Sequence, residues 1–212
     1  MRAEIAIVDY GVGNLRSVQK ALEKTGSQAV VTGDAEVIGE ARAVILPGVG
    51  AFGAAMESLA RAGLVEAVRG AATDGRPFLG ICLGMQLLFE ASEEVFGASD
   101  HAVKGLGLLP GTVRRFTPGL KVPQIGWNTV RSAKEYPLFV GIPDGSFFYF
   151  VHSYYAAPAN AADVLCRTEY GLSFASAVAI GPLAAVQFHP EKSGDVGLRL
   201  HANFGALSRG SA

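Results

Sequence analysis

Cysteine is scarce in this chain: Cys82 and Cys166 are the only two in 212 residues, they lie far apart, and neither has metal-type spacing around it. That argues against a disulfide framework and against a structural zinc site, and it fits a reducing, cytoplasmic setting. Clusters of lysine and arginine are missing as well, and with a formal net charge of -1 no basic surface is available for nucleic acid or an anionic membrane. No apolar run approaches the ~18 residues that a membrane helix needs, and Met1-Arg2-Ala3-Glu4 leads straight into strand-like sequence. Neither a transmembrane helix nor a signal peptide is expected. The glycine-rich loops are incomplete as nucleotide sites. Gly11-Val12-Gly13-Asn14-Leu15-Arg16 lacks the third glycine of the dinucleotide fingerprint, and no Walker A lysine pattern occurs. Small molecules or proteins remain as partners, and nothing calls for a cofactor or a metal.

Half of the residues are hydrophobic and 17% are charged, enough apolar material for one substantial core, with no shift of composition and no repeat to divide it. One domain over residues 1–212 is the expectation. In the first half strands alternate with helices. Ile5 to Asp9, Gln28 to Thr32, Ala43 to Leu46 and Pro77 to Ile81 are short apolar runs of the kind that parallel strands show when both faces are covered. Val18, Ala21 and Leu22 recur at helical spacing, and Gly26 stands where such a helix would end. Right-handed crossovers then give a doubly wound α/β architecture, a mostly parallel central sheet flanked by helices with its site at the carboxyl ends of the strands. From about Gly111 the texture turns β-rich. Thr112 to Phe116, Gln124 to Val130, Ser146 to Val151, Asp163 to Glu169, Ser173 to Ile180 and Leu183 to Phe188 read as strands, some of them antiparallel extensions of the sheet. Gly194 to Leu207 closes with a docking helix carrying Val196, Leu200 and Phe204.

The chemistry centres on Gly80-Ile81-Cys82-Leu83-Gly84, which follows an apolar run and precedes a helix-like pattern. It reads as a nucleophile elbow, in which a buried strand turns sharply into a helix and holds the central side chain out above the sheet. Glycine two residues to either side avoids a Cβ where strand and helix backbones approach. A thiol in that place becomes a good nucleophile near neutral pH when a base and a helix N-terminus favour its ionised form. Taken alone, the pentapeptide is equally compatible with a buried cysteine in a glycine-rich strand end. The second feature is Gln187-Phe188-His189-Pro190-Glu191-Lys192-Ser193 after the last apolar strand. In an extended segment a His-x-Glu spacing puts both side chains on one side, so that Glu191 orients His189 and supports its charged form. A nucleophile, a base and an orienting carboxylate are then complete. His101 and His201 read as bland, and His152 belongs to a strand end that lines the site.

Gly80 to Gln86 together with His189-Pro190-Glu191 resembles the class I (triad) glutamine amidotransferases. Asp9 to Leu15, Pro47-Gly48-Val49-Gly50-Ala51-Phe52, Gly126-Trp127-Asn128 and His152-Ser153-Tyr154 narrow the likeness to the glutaminase subunits of imidazole glycerol phosphate synthases, over essentially the whole chain. Gly181-Pro182-Leu183-Ala184 departs from the pattern, which has a more polar lead-in to the last strand. The resemblance implies hydrolysis of glutamine through a γ-glutamyl thioester on Cys82, with His189 as base and Glu191 as its support. The oxyanion would be held by the backbone N–H of Leu83 and by one from the Gly48-Val49-Gly50 loop, from Val49 or Gly50. Gly48, Gln86, Glu94, Ser153 and Tyr154 are implied to contact the substrate. Ammonia would pass to a separate cyclase subunit, a (β/α)₈ barrel, forming a heterodimer through Asn14, Trp127, Tyr149 and Lys192. For Trp127 a half-buried packing role is the alternative. A glutaminase feeding another acceptor and a catalytically silent binding module are the rival readings. Gly126-Trp127-Asn128 and the Pro47 loop speak against the first, and the intact Cys82, His189 and Glu191 against the second.

Overall fold

A computed structural model of the chain describes residues 3–94, 102–117 and 119–210; His101 lies outside them. In chain order the elements are β1 (Ile5–Val8), α1 (Leu15–Lys24), β2 (Ala29–Thr32), α2 (Ala35–Glu40), β3 (Ala43–Gly48), α3 (Phe52–Arg61), α4 (Val65–Thr73), β4 (Phe78–Cys82) and α5 (Leu83–Leu87). There follow β5 (Phe89–Ser92), β6 (Val103–Lys104), β7 (Leu109–Arg115), β8 (Gln124–Ser132), β9 (Ser146–His152), β10 (Tyr154–Pro158), β11 (Val164–Glu169), β12 (Ser173–Ile180), β13 (Leu183–Val186) and α6 (Gly194–Ser208).

The central sheet has nine strands in the order β2-β1-β3-β4-β13-β12-β11-β8-β9. Its first five strands run parallel, and from β13 onward every pairing is antiparallel. Every residue of β1, β3, β4 and β13 is buried, as continuous apolar runs require when helices cover both faces. Alternation decides which face each residue serves. Ala6, Val8, Val44 and Leu46 pack with Ile38 of α2, Leu59 of α3 and Val68 of α4. Ile5, Ile7, Ile45, Leu79 and Ile81 pack on the other side with Val18 and Leu22 of α1 and with Leu200 and Phe204 of α6. Gly26 ends α1 in the left-handed region (φ 85°), and the N–H of Ser27 donates to the carbonyl of Leu22 at 3.0 Å.

Three features refine or go beyond the sequence reading. The segment Thr112 to Phe116 does not extend the central sheet: β7 belongs to a second, four-stranded sheet in the order β10-β7-β5-β6. Helices α2 and α4 have no counterpart in the sequence reading; α2 buries Ile38, and α4 buries Val68, Ala71 and Ala72. The run Leu183 to Phe188 leaves the ladder at Val186, so Gln187 to His189 lies beyond the sheet.

Candidate active site

Strand β4 turns into α5 at Cys82, whose φ of 56° and ψ of -110° make it the only non-glycine residue with positive φ among those described. Such a conformation costs ~1–3 kcal/mol and persists only where the surroundings impose it. Three glycines allow the backbones to close around it. A Cβ on Gly80 would lie 3.0 Å from the carbonyl oxygen of Gly84 and from the nitrogen of Met85, the expected strand-to-helix approach. Gly84 is glycine for another reason: its Cβ would fall onto the carbonyl oxygen of Leu46 and 2.8 Å from the carbonyl carbon, so the close neighbour is β3 rather than β4. Gly48 completes the set, its missing Cβ lying 2.7 Å from the Tyr10 hydroxyl and 2.9 Å from Leu83 Cβ. The Tyr10 hydroxyl donates to the carbonyl of Pro47 at 2.9 Å, and burial keeps it protonated by holding it well above the usual tyrosine range. With only five residues, α5 adds a small dipole at the thiol.

His189 follows β13, the strand that pairs in parallel with β4. Its Nδ1 donates to Glu191 Oε1 at 2.8 Å, with both side chains almost fully buried. The sequence reading took an extended His-x-Glu segment. The observed device is a 3₁₀ turn over Pro190–Lys192, which folds Glu191 back under the imidazole. Ser193 locks the turn, its hydroxyl donating to the His189 carbonyl at 2.6 Å and accepting the N–H of Tyr149 at 3.0 Å. Burial disfavours a charged His189, but a thiolate at Cys82 and the carboxylate of Glu191 outweigh it and hold the ring above the ordinary histidine range. Among the described residues no hydrogen bond of normal geometry reaches His189 Nε2, yet Cys82 raises the ring both as a close acceptor for that nitrogen and through its charge.

A cleft of about 300 Å³ brings together Val49, Gly50, Cys82, Leu83, Gln86, Glu94, Ser153, Tyr154 and His189 of the sequence-predicted set. Glu191 stands behind His189, and Gly48 packs beneath the elbow. Gly50 takes a φ of 92°, and the Val49 side chain is exposed. Glu94 Oε2 accepts the N–H of Phe52 at 2.7 Å, tying the start of α3 to the cleft wall. Gln86 Nε2 donates to the Tyr154 carbonyl at 2.9 Å and to Gln187 Oε1 at 3.0 Å. Sequence reasoning missed Pro123 and Val151 in the wall and Gln187 behind it, whose Nε2 lies 3.8 Å from Cys82 Sγ. Gln187 opens the segment that carries His189 and Glu191, but nothing local in the sequence says that its amide turns inward. His152 lines the cleft too. Its Nδ1 donates to the Tyr154 carbonyl at 2.8 Å, and burial pushes the ring down to about 4, so it stays neutral. Among the described residues no cluster of three or more His, Cys, Asp or Glu is arranged to hold a metal.

The family model for glutamine amidotransferase class-I matches residues 6–205. The chain belongs to the class-I glutamine amidotransferases. Its relatives include the imidazole glycerol phosphate synthase subunit HisH of Moorella thermoacetica, 55% identical over 97% of this chain and 95% of that one. The protein of the same name from Herpetosiphon aurantiacus is 52% identical, over 98% and 97% of the two chains. Among solved structures, one described as a glutamine amidotransferase superposes with a TM-score of 0.74 at 23% identity, over 96% of this chain and 98% of that one, a likeness of fold.

On this amidotransferase the residues expected at an interface fall outside the cleft. Trp127 of β8 pairs with Tyr149 of β9 across the ladder, their rings edge to face at 6.1 Å, and Lys192 Nζ lies 5.8 Å from the Tyr149 ring centre. Trp127 is 55% exposed, so it is half-buried against Tyr149 and still presents apolar surface that a partner could cover. Ile125 and Phe147 share its face of the ladder and are exposed as well. Asn14 stands at the start of α1 without making a side-chain cap bond. Among the described residues no helix is long and apolar enough to cross a membrane.

Proposed function

We propose that this chain is the glutaminase subunit of an imidazole glycerol phosphate synthase. It hydrolyses glutamine to glutamate and ammonia and passes the ammonia to a separate cyclase subunit, a (β/α)₈ barrel in a heterodimer, for histidine biosynthesis. Cys82 attacks the side-chain carboxamide carbon of glutamine, and the carbonyl electrons move onto oxygen. Backbone N–H groups of Leu83 and of the Val49–Gly50 segment receive that oxyanion. His189 takes the thiol proton of Cys82 and gives it to the leaving ammonia, then takes a proton from the water that attacks the thioester and returns it to the departing sulfur, and Glu191 keeps its Nδ1 protonated throughout. Glu94, Ser153 and Tyr154 surround the amino-acid end of glutamine, and Gln86, with both amide protons committed, offers its carbonyl oxygen.

The observation that carries this reading is the buried 2.8 Å His189–Glu191 bond in one cleft with a thiol held at positive φ. An ammonia acceptor on another chain gives Trp127, Ile125 and Phe147 a reason to stand exposed side by side. The decisive assay is synthesis by the two-subunit complex carrying Cys82→Ala. Glutamine-dependent turnover should vanish while turnover from added ammonium salts persists, because only the supply is cut. Loss of both activities would defeat the division of labour.

A further inference from the structure

We propose that Gln187 is a hydrogen-bond donor to the Cys82 sulfur that favours its ionised form, and that Gln86 fixes the direction of the Gln187 amide. This rests on reading Cys82 as the nucleophile. Gln187 is completely buried, where an amide left unpaired is costly, and its own backbone N–H is pinned to the carbonyl of Ser176 at 2.9 Å. Its side chain spans two partners: Nε2 lies 3.8 Å from Cys82 Sγ, and Oε1 lies 3.0 Å from Gln86 Nε2.

Which end of that amide faces the sulfur is settled by a chain of constraints that starts at a backbone carbonyl. The Tyr154 carbonyl can only accept, so the Gln86 atom 2.9 Å from it is the nitrogen. That nitrogen is a donor, so the Gln187 atom facing it must be the oxygen. The Gln187 N–H₂ is thereby turned to Cys82. An N–H beside sulfur interacts weakly with a thiol and strongly with a thiolate, so the contact favours ionisation. Unlike His189, an amide does not titrate, and its contribution persists at every pH. One short segment after β13 therefore supplies both the base and a fixed donor to the nucleophile.

The test is alkylation of the full-length chain by iodoacetamide between pH 6 and 10, followed by peptide mass mapping. This small probe does not depend on glutamine binding. Cys82 should be labelled and Cys166 spared, since burial pushes the Cys166 thiol up to about 12. Gln187→Met should label Cys82 about tenfold more slowly at pH 7, with the deficit closing toward pH 10, where the thiolate forms in either protein. Gln187→Glu should be slower still, because a carboxylate then faces the sulfur. Gln86→Leu, which keeps Gln187 but removes its lock, should show a smaller deficit of the same pH dependence, and it carries the test should Gln187→Met not fold. Parent-like rates at pH 7 in these variants, or a deficit equal at all pH values, would overturn the proposal. If the parent itself labelled Cys166 as fast as Cys82, the reading of Cys82 would fail instead.

Discussion

Replacing Gly84 with alanine drives a methyl group onto the carbonyl oxygen of Leu46 and leaves it 2.8 Å from the carbonyl carbon. Both contacts are backbone, so no rotamer change relieves them. Strand β3 and helix α5 would have to part by about 1 Å, and overpacking of that kind typically costs ~1–3 kcal/mol. With ~2–4 °C of Tm per kcal/mol for a chain of this size, a loss of several degrees is expected. Activity should suffer more. The displaced segment carries Cys82 and the Leu83 N–H, and a misplacement of ~1 Å can cost ~10² in rate. Gly70 in α4 is the matched control, because a Cβ there meets nothing within 4 Å among the described residues and its φ is not positive. Gly70→Ala should gain ~0.4–1 kcal/mol and leave turnover unchanged. Calorimetric melting and glutamate release by the two-subunit complex read both effects. A Gly84→Ala protein that melted within about 1 °C of the parent and turned over at its rate would refute the close-approach argument.

Three further outcomes are expected. His201 is fully buried with neither ring nitrogen bonded among the described residues, and burial pushes it down to about 4, against ~6.5 for an unperturbed histidine. The unfolded chain therefore binds the proton first, so this stability is present above pH ~6.5 and is lost as pH falls toward 4, by ~2 kcal/mol at pH 5. His201→Leu should flatten that acid slope in urea unfolding at pH 7.5 and pH 5, and an unchanged slope would contradict it. Trp127→Ala should weaken binding of the cyclase subunit by ~2 kcal/mol or more, as removal of an exposed aromatic anchor does, with little change in Tm. Calorimetric titration giving the parent Kd would remove Trp127 from the interface. Finally, Val49 is β-branched and resists positive φ, so turning its peptide toward the oxyanion relies on Gly48 and Gly50. The free chain should consequently show a kcat ~10²–10³ below that of the ligand-loaded complex, with a smaller change in KM, and equal kcat values would sink this loop switch.

The sequence alone determined those features that depend on near neighbours in the chain. Continuous apolar runs marked β1, β3 and β4, because a strand covered on both faces has no polar side to show. Glycines spaced around Cys82 marked the elbow; Gly80 answers the local demand of the strand-to-helix turn, whereas the close neighbour that requires Gly84 is Leu46 of β3. Tertiary structure decided what depends on distant partners. The second sheet joins β5 to β7 and β7 to β10, pairings that no local period announces. The 3₁₀ turn that brings Glu191 to His189 is fastened by Ser193 to Tyr149, a residue of another strand. Glu94 reaches the N–H of Phe52, and the path from the Tyr154 carbonyl through Gln86 and Gln187 to Cys82 crosses three elements of the fold. A glutamine in sequence has four hydrogen-bonding options and no preferred one. Burial against specific partners removes the alternatives, because an unpaired amide in the interior costs more than turning it the right way.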